Sequence, residues 1–147
     1  MRKWLSGVVV LAAACVVGCG AIPGILFPEV TTVRLINNAN FPVEFELFYG
    51  DDENTLEVFL VEFGERVPGT LQPGDSTSIS DDCDNLRAVI INDADLRVIG
   101  GIGPEADTDV LREGEDFDCR DTITFTFTSD VIGLQLGILT DVSAGAP

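Results

Sequence analysis

Carboxylates are the most numerous groups in this chain that could do chemistry, and two clusters of them have a spacing that suits a cation. The two sets are Asp81, Asp82 and Asp84, and Glu105, Asp107 and Asp109. Ca²⁺ takes about six to eight oxygen ligands, which carboxylates on turns can supply. These residues are therefore the candidate metal ligands, for calcium, and no other cofactor is expected. The alternative interpretation is that they are solvated loops on an acidic surface.

The chain lacks the residues that most other kinds of catalysis require. The chain has no His, and its single Lys is Lys3, so histidine catalysis and His-ligated metals are excluded, and a serine would have no base to activate it. A carboxylate pair can hydrolyse glycosides, but Trp4 and Tyr49 are the only Trp and Tyr available to stack on a sugar. We therefore expect a protein that is not an enzyme, with a small carboxylate-based hydrolase as the least favoured alternative.

The charge balance argues against a nucleic-acid partner. The chain has 25 Asp and Glu against 8 Lys and Arg, which gives a formal net charge of −17. A nucleic-acid-binding face needs clustered cations. Two of the eight, Arg2 and Lys3, precede an apolar run, and the remaining Arg are scattered among the carboxylates.

The first nineteen residues have the pattern of an export signal. The apolar run from Leu5 to Val17 is about thirteen residues long, whereas a spanning helix needs roughly 20. It ends at Val16-Val17-Gly18-Cys19. This segment resembles the lipobox of bacterial lipoproteins, in which an aliphatic residue, a small or aliphatic residue, and Gly or Ala precede a Cys. The resemblance covers only residues 1–20.

The resemblance implies cleavage before Cys19 and acylation of its thiol, usually with acylation of the new amino group as well. It divides the chain into a cleaved signal peptide (1–18), a lipidated Cys with a short tether (19–29) and a folded domain (30–147). Two or more acyl chains hold a protein stably on a membrane. Gly20, where inner-membrane lipoproteins tend to have Asp, implies the outer membrane of the cell envelope, with its face left open. The alternatives are a lipidated Cys15 and an ordinary secretory signal.

Two cysteines remain in the mature domain, Cys83 and Cys119. An exported protein meets an oxidising compartment, so the pair predicts a disulfide. The loop that it closes holds about 37 residues, for which the loop-entropy model gives roughly 3.8 kcal/mol. A metal site at these cysteines would need further soft or imidazole ligands, which the mature chain lacks.

A period of two in the apolar residues predicts that strands position the acidic loops. The alternation is clearest in Pro42–Tyr49 and Thr122–Thr128. Further strands are predicted over Val33–Ile36, Leu56–Phe63, Ser76–Ser80, Leu86–Asn92, Leu96–Ile99, Val110–Leu111 and Ile132–Ile138. Turns are predicted at Val67-Pro68-Gly69, Pro73-Gly74-Asp75 and Asp93-Ala94-Asp95. No stretch predicts a helix.

Some seven to nine short strands predict an all-β protein: an antiparallel β-sandwich, immunoglobulin-like in general architecture, with one disulfide. We expect a lipid-anchored, non-catalytic structural or binding module, whose partner is an envelope protein or polysaccharide. The alternative is a Ca²⁺-dependent adhesion or carbohydrate-binding module. Its ligand face would have to come from Phe48, Tyr49, Phe59 and Phe63.

Overall fold

The computed structural model describes residues 29–98, 101, 103–130 and 135–145. This part of the chain forms two packed β-sheets and one short helix. The strands are β1 (Val30–Asn37), β2 (Val43–Gly50), β3 (Glu65–Leu71), β4 (Ser76–Asp82), β5 (Ala88–Leu96), β6 (Glu105–Ala106), β7 (Leu111–Arg112), β8 (Thr122–Ser129) and β9 (Leu136–Ser143). The helix α1 (Glu57–Phe63) connects β2 to β3. The predicted β-sandwich is therefore confirmed.

The two sheets are built from strands that are distant in sequence. The four-stranded sheet has the order β4-β1-β8-β9, and the five-stranded sheet has the order β3-β2-β5-β6, with β7 also paired to β5. The pairings are antiparallel except for β1 with β8, which is parallel. A parallel pair requires a long connection between its strands, and here the second sheet lies within that connection.

The main core lies between the sheets, and the alternation in the sequence places its side chains. Phe125 and Phe127 of β8 face inward and are fully buried, while Thr124, Thr126 and Thr128 are half-buried on the other face. In β2, Phe45 faces the same core, and its ring stacks on that of Phe127 with centroids 5.9 Å apart. The aromatic contact joins one sheet to the other, and burial of such rings dominates core energetics.

A second, smaller core lies on the outer face of the five-stranded sheet. Phe48 of β2, with Ala88 and Ile90 of β5, packs there against Leu60 of α1. The predicted strand over Leu56–Phe63 is wrong, because this segment is the helix α1 with a short connection on either side. Its apolar residues are continuous rather than alternating, and a short continuous run does not distinguish a strand from a helix.

Two predicted turns are also strand segments. Val67-Pro68-Gly69 lies within β3, which is an edge strand, where a proline is tolerated because its missing N–H faces away from the sheet. Asp93-Ala94-Asp95 lies within β5, which continues to Leu96 through a register shift opposite Glu44 and Glu46. Asp93 has a positive φ of 65° there, a conformation that Asp adopts more readily than most residues. The irregularity is therefore a bulge and not a turn.

The predicted disulfide between Cys83 and Cys119 is present, with an S–S distance of 2.06 Å and a Cα–Cα distance of 5.4 Å. Cys83 follows β4 and Cys119 precedes β8, so the bridge joins the two neighbours of β1 near the start of that strand. Glu29 enters at the same place, since its carbonyl accepts a hydrogen bond from the Cys83 N–H at 2.9 Å.

Some predictions lie outside the described residues. These are the signal peptide, lipidation of Cys19, most of the tether and the first half of the predicted Ile132–Ile138 strand. The part of the chain that is described contains a last strand, β9, which runs on to Ser143. Among the described residues, no helix has the length and apolar character needed to cross a membrane.

Candidate functional site

The helix α1 exposes most of its apolar side chains. Leu60 is its one buried residue. Val61 is partly buried. Three other apolar residues of the helix, and Leu56 directly before it, are largely exposed: Leu56 60%, Val58 62%, Phe59 49% and Phe63 74%. We call these four residues the α1 face. Phe59 and Phe63 line one depression, and Leu56 and Val58 line another. Single exposed apolar residues are ordinary, but several on one short element are typical of an interaction site.

Beside the α1 face lies a groove of about 520 Å³. Its apolar wall is formed by Phe59, Leu60 and Phe63 of the helix. Four carboxylates line the rest, and we call this cavity the acidic groove: Asp51, Asp52, Glu65 and Asp81. None of the described residues that line it is Lys or Arg. The groove therefore combines an aromatic wall with four carboxylates that form no ion pair with a described Arg.

Asp81 is held in place by three hydrogen bonds at the edge of the acidic groove. Its Oδ1 accepts from the Asn85 side-chain amide at 3.1 Å and from the Asp82 N–H at 2.8 Å, and its Oδ2 accepts from the Tyr49 hydroxyl at 3.0 Å. The Asn85 amide, followed by the other two donors, holds the pKa of Asp81 below its usual range. This carboxylate is therefore ionised and oriented at neutral pH.

The Tyr49 hydroxyl lies under the same constraint. Burial, together with the neighbouring Glu65 and Asp81 carboxylates, raises the pKa of Tyr49 above its usual range. The phenol remains protonated and acts as a hydrogen-bond donor to Asp81. It does not add a titratable group to the groove near neutral pH.

Tight backbone contacts position α1 against the sheet. The Gly64 N–H donates to the Leu60 carbonyl at 2.8 Å, and a Cβ at Gly64 would lie 2.8 Å from the Tyr49 carbonyl, so only glycine fits without displacement. At the other end, an Arg112 Nη1 donates to the Thr55 carbonyl at 2.9 Å. The rings of Phe59 and Phe63 stack with centroids 6.3 Å apart. The apolar wall is thus fixed by the fold.

The structure separates the predicted calcium ligands. Asp81 lines the acidic groove, whereas Asp82 and Asp84 lie beside the disulfide, with Glu29. Among the described residues, a single group of three or more acidic side chains brings its oxygens within 4.8 Å of one another: Asp93, Asp95 and Glu105. Of the six predicted ligands, it contains only Glu105.

Of the other two residues in the predicted Glu105/Asp107/Asp109 set, Asp107 lies beside this cluster and Asp109 lies apart from it. Asp107 accepts a hydrogen bond from the Asp93 N–H at 2.9 Å, and Asp109 lies in a shallow depression beside β9. The sequence does not indicate that Asp93 and Asp95 belong with Glu105, because this proximity depends on which strand pairs with β5. The bulge in β5 and the pairing of Asp95 with Glu105 bring these side chains together.

Asp93 has an unfavourable electrostatic environment. Burial, followed by repulsion from Asp95, Glu46, Asp107 and Glu44, raises the pKa of Asp93. Arg97 offsets part of this charge, since its guanidinium forms ion pairs with Glu44 and with Asp95, the latter at 3.7 Å. The ionised form of Asp93 is therefore destabilised in the folded state.

The four aromatic residues proposed for a carbohydrate-binding face do not share one surface. Phe48 and Tyr49 are 4% exposed each, because Phe48 lies beneath α1 and Tyr49 belongs to the main core. Phe59 and Phe63 are exposed on the helix. The strand prediction includes both residues but does not predict that a helix exposes them, together with Leu56 and Val58.

Comparisons with known proteins assign no family to the chain. No protein-family model and no curated protein matches it. Among solved structures, it is similar to the T6SS lipoprotein TssJ1 from Pseudomonas aeruginosa, with a TM-score of 0.41 and 18% identity over 82% of this chain and 100% of that one. It is also similar to a protein from Eubacterium rectale solved by NMR, with a TM-score of 0.46 and 17% identity over 80% of this chain and 91% of that one.

A third similar structure is wild-type pneumolysin, with a TM-score of 0.45 and 10% identity. The match covers 80% of this chain but 24% of pneumolysin. At these identities and TM-scores, no statement about function passes from any of the three proteins to this chain.

Proposed function

We propose that the chain is a lipid-anchored protein of a bacterial cell envelope whose β-sandwich is a non-catalytic module that binds a partner. The observation that carries the binding role is the α1 face. Burying Phe63 and its neighbours against a partner would remove apolar surface from water at about 25 cal/mol per Å². The helix packs on the sheet through Leu60, and Gly64 allows close approach to the Tyr49 carbonyl, so the surface is formed before any partner binds.

The envelope location is supported by two independent features. The lipobox-like segment Val16-Val17-Gly18-Cys19 supplies an export signal and a lipid anchor. The Cys83–Cys119 disulfide fits a compartment outside the reducing cytosol. Lipidation at Cys19 would leave a tether of about ten residues before β1, and such a segment spans at most roughly 35 Å. The sandwich would therefore work close to the membrane surface.

A binding role is favoured over catalysis by the character of the carboxylates. A general acid or base works best with a pKa near the operating pH, whereas the pKa of Asp81 in the groove is lowered. The carboxyl whose pKa is raised, Asp93, lies in the exposed cluster on β5 and not in the acidic groove. An acid–base site needs a cavity for the substrate and a carboxyl with a raised pKa, and here the cavity and that carboxyl are in different places.

Replacing the lipidated cysteine tests the anchor. In cells fed an alkyne analogue of palmitate, we expect the wild-type chain to be labelled and the Cys19→Ala variant to lose the label completely, because the acyl acceptor is gone. Cys15→Ala is the matched control and should be labelled like the wild type. Mass spectrometry of the mature chain should place its N-terminus at Cys19. Label that persists in Cys19→Ala would contradict the proposal.

A second candidate function is calcium binding, favoured by the convergence of Asp93, Asp95 and Glu105. Three carboxylates supply hard oxygen ligands of the kind that Ca²⁺ prefers. Bound Ca²⁺ would also relieve the repulsion that raises the pKa of Asp93. Such a site would serve the calcium-dependent adhesion module that the sequence left as an alternative.

Thermal unfolding of the mature lipoprotein tests this candidate with an Asp93→Asn variant. Ca²⁺ at 100 times its dissociation constant stabilises a protein by about 2.7 kcal/mol, so we expect several degrees of shift in the wild type and none in Asp93→Asn. Without Ca²⁺, Asp93→Asn should melt about 1–2 °C higher at pH 7, because it removes a repelled charge and suits the positive φ.

The sign of the pH dependence follows from the raised pKa. As the pH falls towards the usual Asp value of about 4, wild-type Asp93 takes up a proton and the advantage of the variant should disappear. Asp141→Asn, which makes the same change on β9, is the matched control and should respond to Ca²⁺ like the wild type. A wild-type midpoint that Ca²⁺ moves no further than Mg²⁺ at equal ionic strength would eliminate the calcium site.

A further inference from the structure

We propose that the acidic groove and the α1 face bind a cationic, apolar segment of a partner protein, one in which Arg or Lys residues are interspersed with aliphatic or aromatic residues. This inference rests on the proposed binding function and specifies the chemistry of the partner.

The apolar component of the partner follows from the helix. Phe59 and Phe63 present stacked rings that line the groove. Leu56 and Val58 are also exposed, at the start of the helix and beside a second depression. Aromatic side chains in a preformed concave setting are the residues that most often dominate binding energy in protein interfaces. A segment that carried charge alone would leave this surface in water.

The cationic component follows from the charges. Asp51, Asp52 and Glu65 form no ion pair with any described Arg, and the groove that they line contains no cation. Like charges gathered in a partly enclosed space favour a positively charged ligand and repel a negative one. An anionic or neutral segment would leave these carboxylates uncompensated.

The geometry lets one cationic side chain meet both components. A guanidinium or ammonium group is attracted to the face of an aromatic ring within about 6 Å of its centroid. Phe59, Phe63 and Asp81 line the same groove, and Asp81 is oriented there by its three hydrogen bonds. We expect a partner Arg in this groove to contact the rings and to donate to a carboxylate.

Two other occupants fit less well. A second copy of the chain would bring the same carboxylates together, and the formal net charge of −17 opposes such a contact. The membrane is also near, because of the proposed anchor, but an anionic bilayer would repel the four carboxylates beside the rings. Charge complementarity thus favours a cationic protein segment, and the other two occupants become outcomes of the test.

A Phe63→Trp variant provides a direct reporter. The only native Trp is Trp4, in the predicted signal peptide, so the mature variant carries a single indole at an exposed position on α1. The lipoprotein, purified in nonionic detergent, is titrated with a short synthetic peptide in which Arg and Leu alternate. We expect saturable binding with a blue shift of the Trp emission. Peptides alternating Arg with Gly, or Glu with Leu, should bind at least about tenfold more weakly.

Charge variants then locate the site. The triple substitution Asp51→Asn, Asp52→Asn and Glu65→Gln in this reporter background should weaken binding of the Arg–Leu peptide about tenfold. The matched control removes three carboxylates that do not line the groove, by Glu105→Gln, Asp109→Asn and Asp141→Asn, and should change the affinity less than threefold. Equal loss in both variants would show general attraction between opposite charges and would overturn the inference.

Three further results would also overturn it. One is equal binding of the Arg–Gly and Arg–Leu peptides. Another is quenching of the Trp emission by brominated phosphatidylcholine after reconstitution into vesicles, which would assign the α1 face to the membrane. The third is a concentration-dependent emission shift without peptide, which would assign it to a second copy. The palmitate labelling of Cys19 is a separate readout, so failure of the anchor and failure of the groove are distinguishable.

Discussion

Replacement of Cys83 and Cys119 by Ser is expected to lower the free energy of unfolding by about 3.8 kcal/mol and the melting temperature by roughly 15 °C. The two residues are separated by 36 positions. Loss of the bridge releases the unfolded chain from a closed loop of that size, and the gain in chain entropy favours the unfolded state. Urea unfolding of the wild-type protein, with its disulfide formed, and of the doubly substituted variant measures the difference.

The disulfide also contacts neighbouring residues, and loss of these contacts adds to the expected loss of stability. Cys83 lies 3.6 Å from the Thr31 hydroxyl and is 8% exposed, so its replacement disturbs the start of β1 as well as the loop. Reductant should destabilise the wild type and leave the doubly substituted variant unchanged, which makes the variant its own control. A loss below about 1 kcal/mol would show that the unfolded chain is already compact without the bridge.

Truncation of the ring at Phe127 is the second change with a large expected effect. Phe127→Ala should cost about 3–5 kcal/mol, because the side chain is fully buried and the surrounding sheets can close the cavity only in part. It would also remove the aromatic contact with Phe45 that joins the sheets. Equilibrium unfolding with the disulfide intact measures this loss separately from that of the bridge.

The neighbouring residue on the same strand is the control for Phe127. Thr126 is half-buried and faces away from the main core, so Thr126→Ala should cost less than about 1 kcal/mol, mainly through β propensity. Equal losses at the two positions would mean that inward and outward faces of β8 are not distinguished by burial. That result would contradict the packing of the sandwich.

The sheet core could be predicted from the sequence wherever one face of a strand is buried and the other is wet. Phe125 and Phe127 in β8, and Phe45 in β2, follow this pattern, and the structure buries all three. The order of the strands could not be predicted. The parallel pairing of β1 with β8 depends on which distant strands meet, and a strand's alternation is the same whatever lies beside it.

The sequence does not predict the helix, because its apolar residues show neither the period of two of a strand nor the period of 3.6 of a helix. The sheet nevertheless indicates that some element covers its outer face. Phe48 of β2 and Ala88 and Ile90 of β5 are apolar residues on that face, and such a face requires an element to pack on it. The candidate binding surface depended on this element. Phe59 and Phe63 were recognised as aromatic, but only the helical spacing of four residues places their rings side by side.

The place where the chain enters the sandwich determines how the domain would respond to mechanical tension. Glu29 is fixed by the Cys83 N–H and by an ion pair with Arg120, and the next residues form β1, an interior strand hydrogen-bonded on both sides. A pull on the N-terminus along β1 would load both rows of hydrogen bonds in shear, and the disulfide joins the strands that carry those rows. Force from the N-terminal tether would therefore act on an interior strand, whose hydrogen bonds must break together. An edge strand would instead lose its hydrogen bonds one after another.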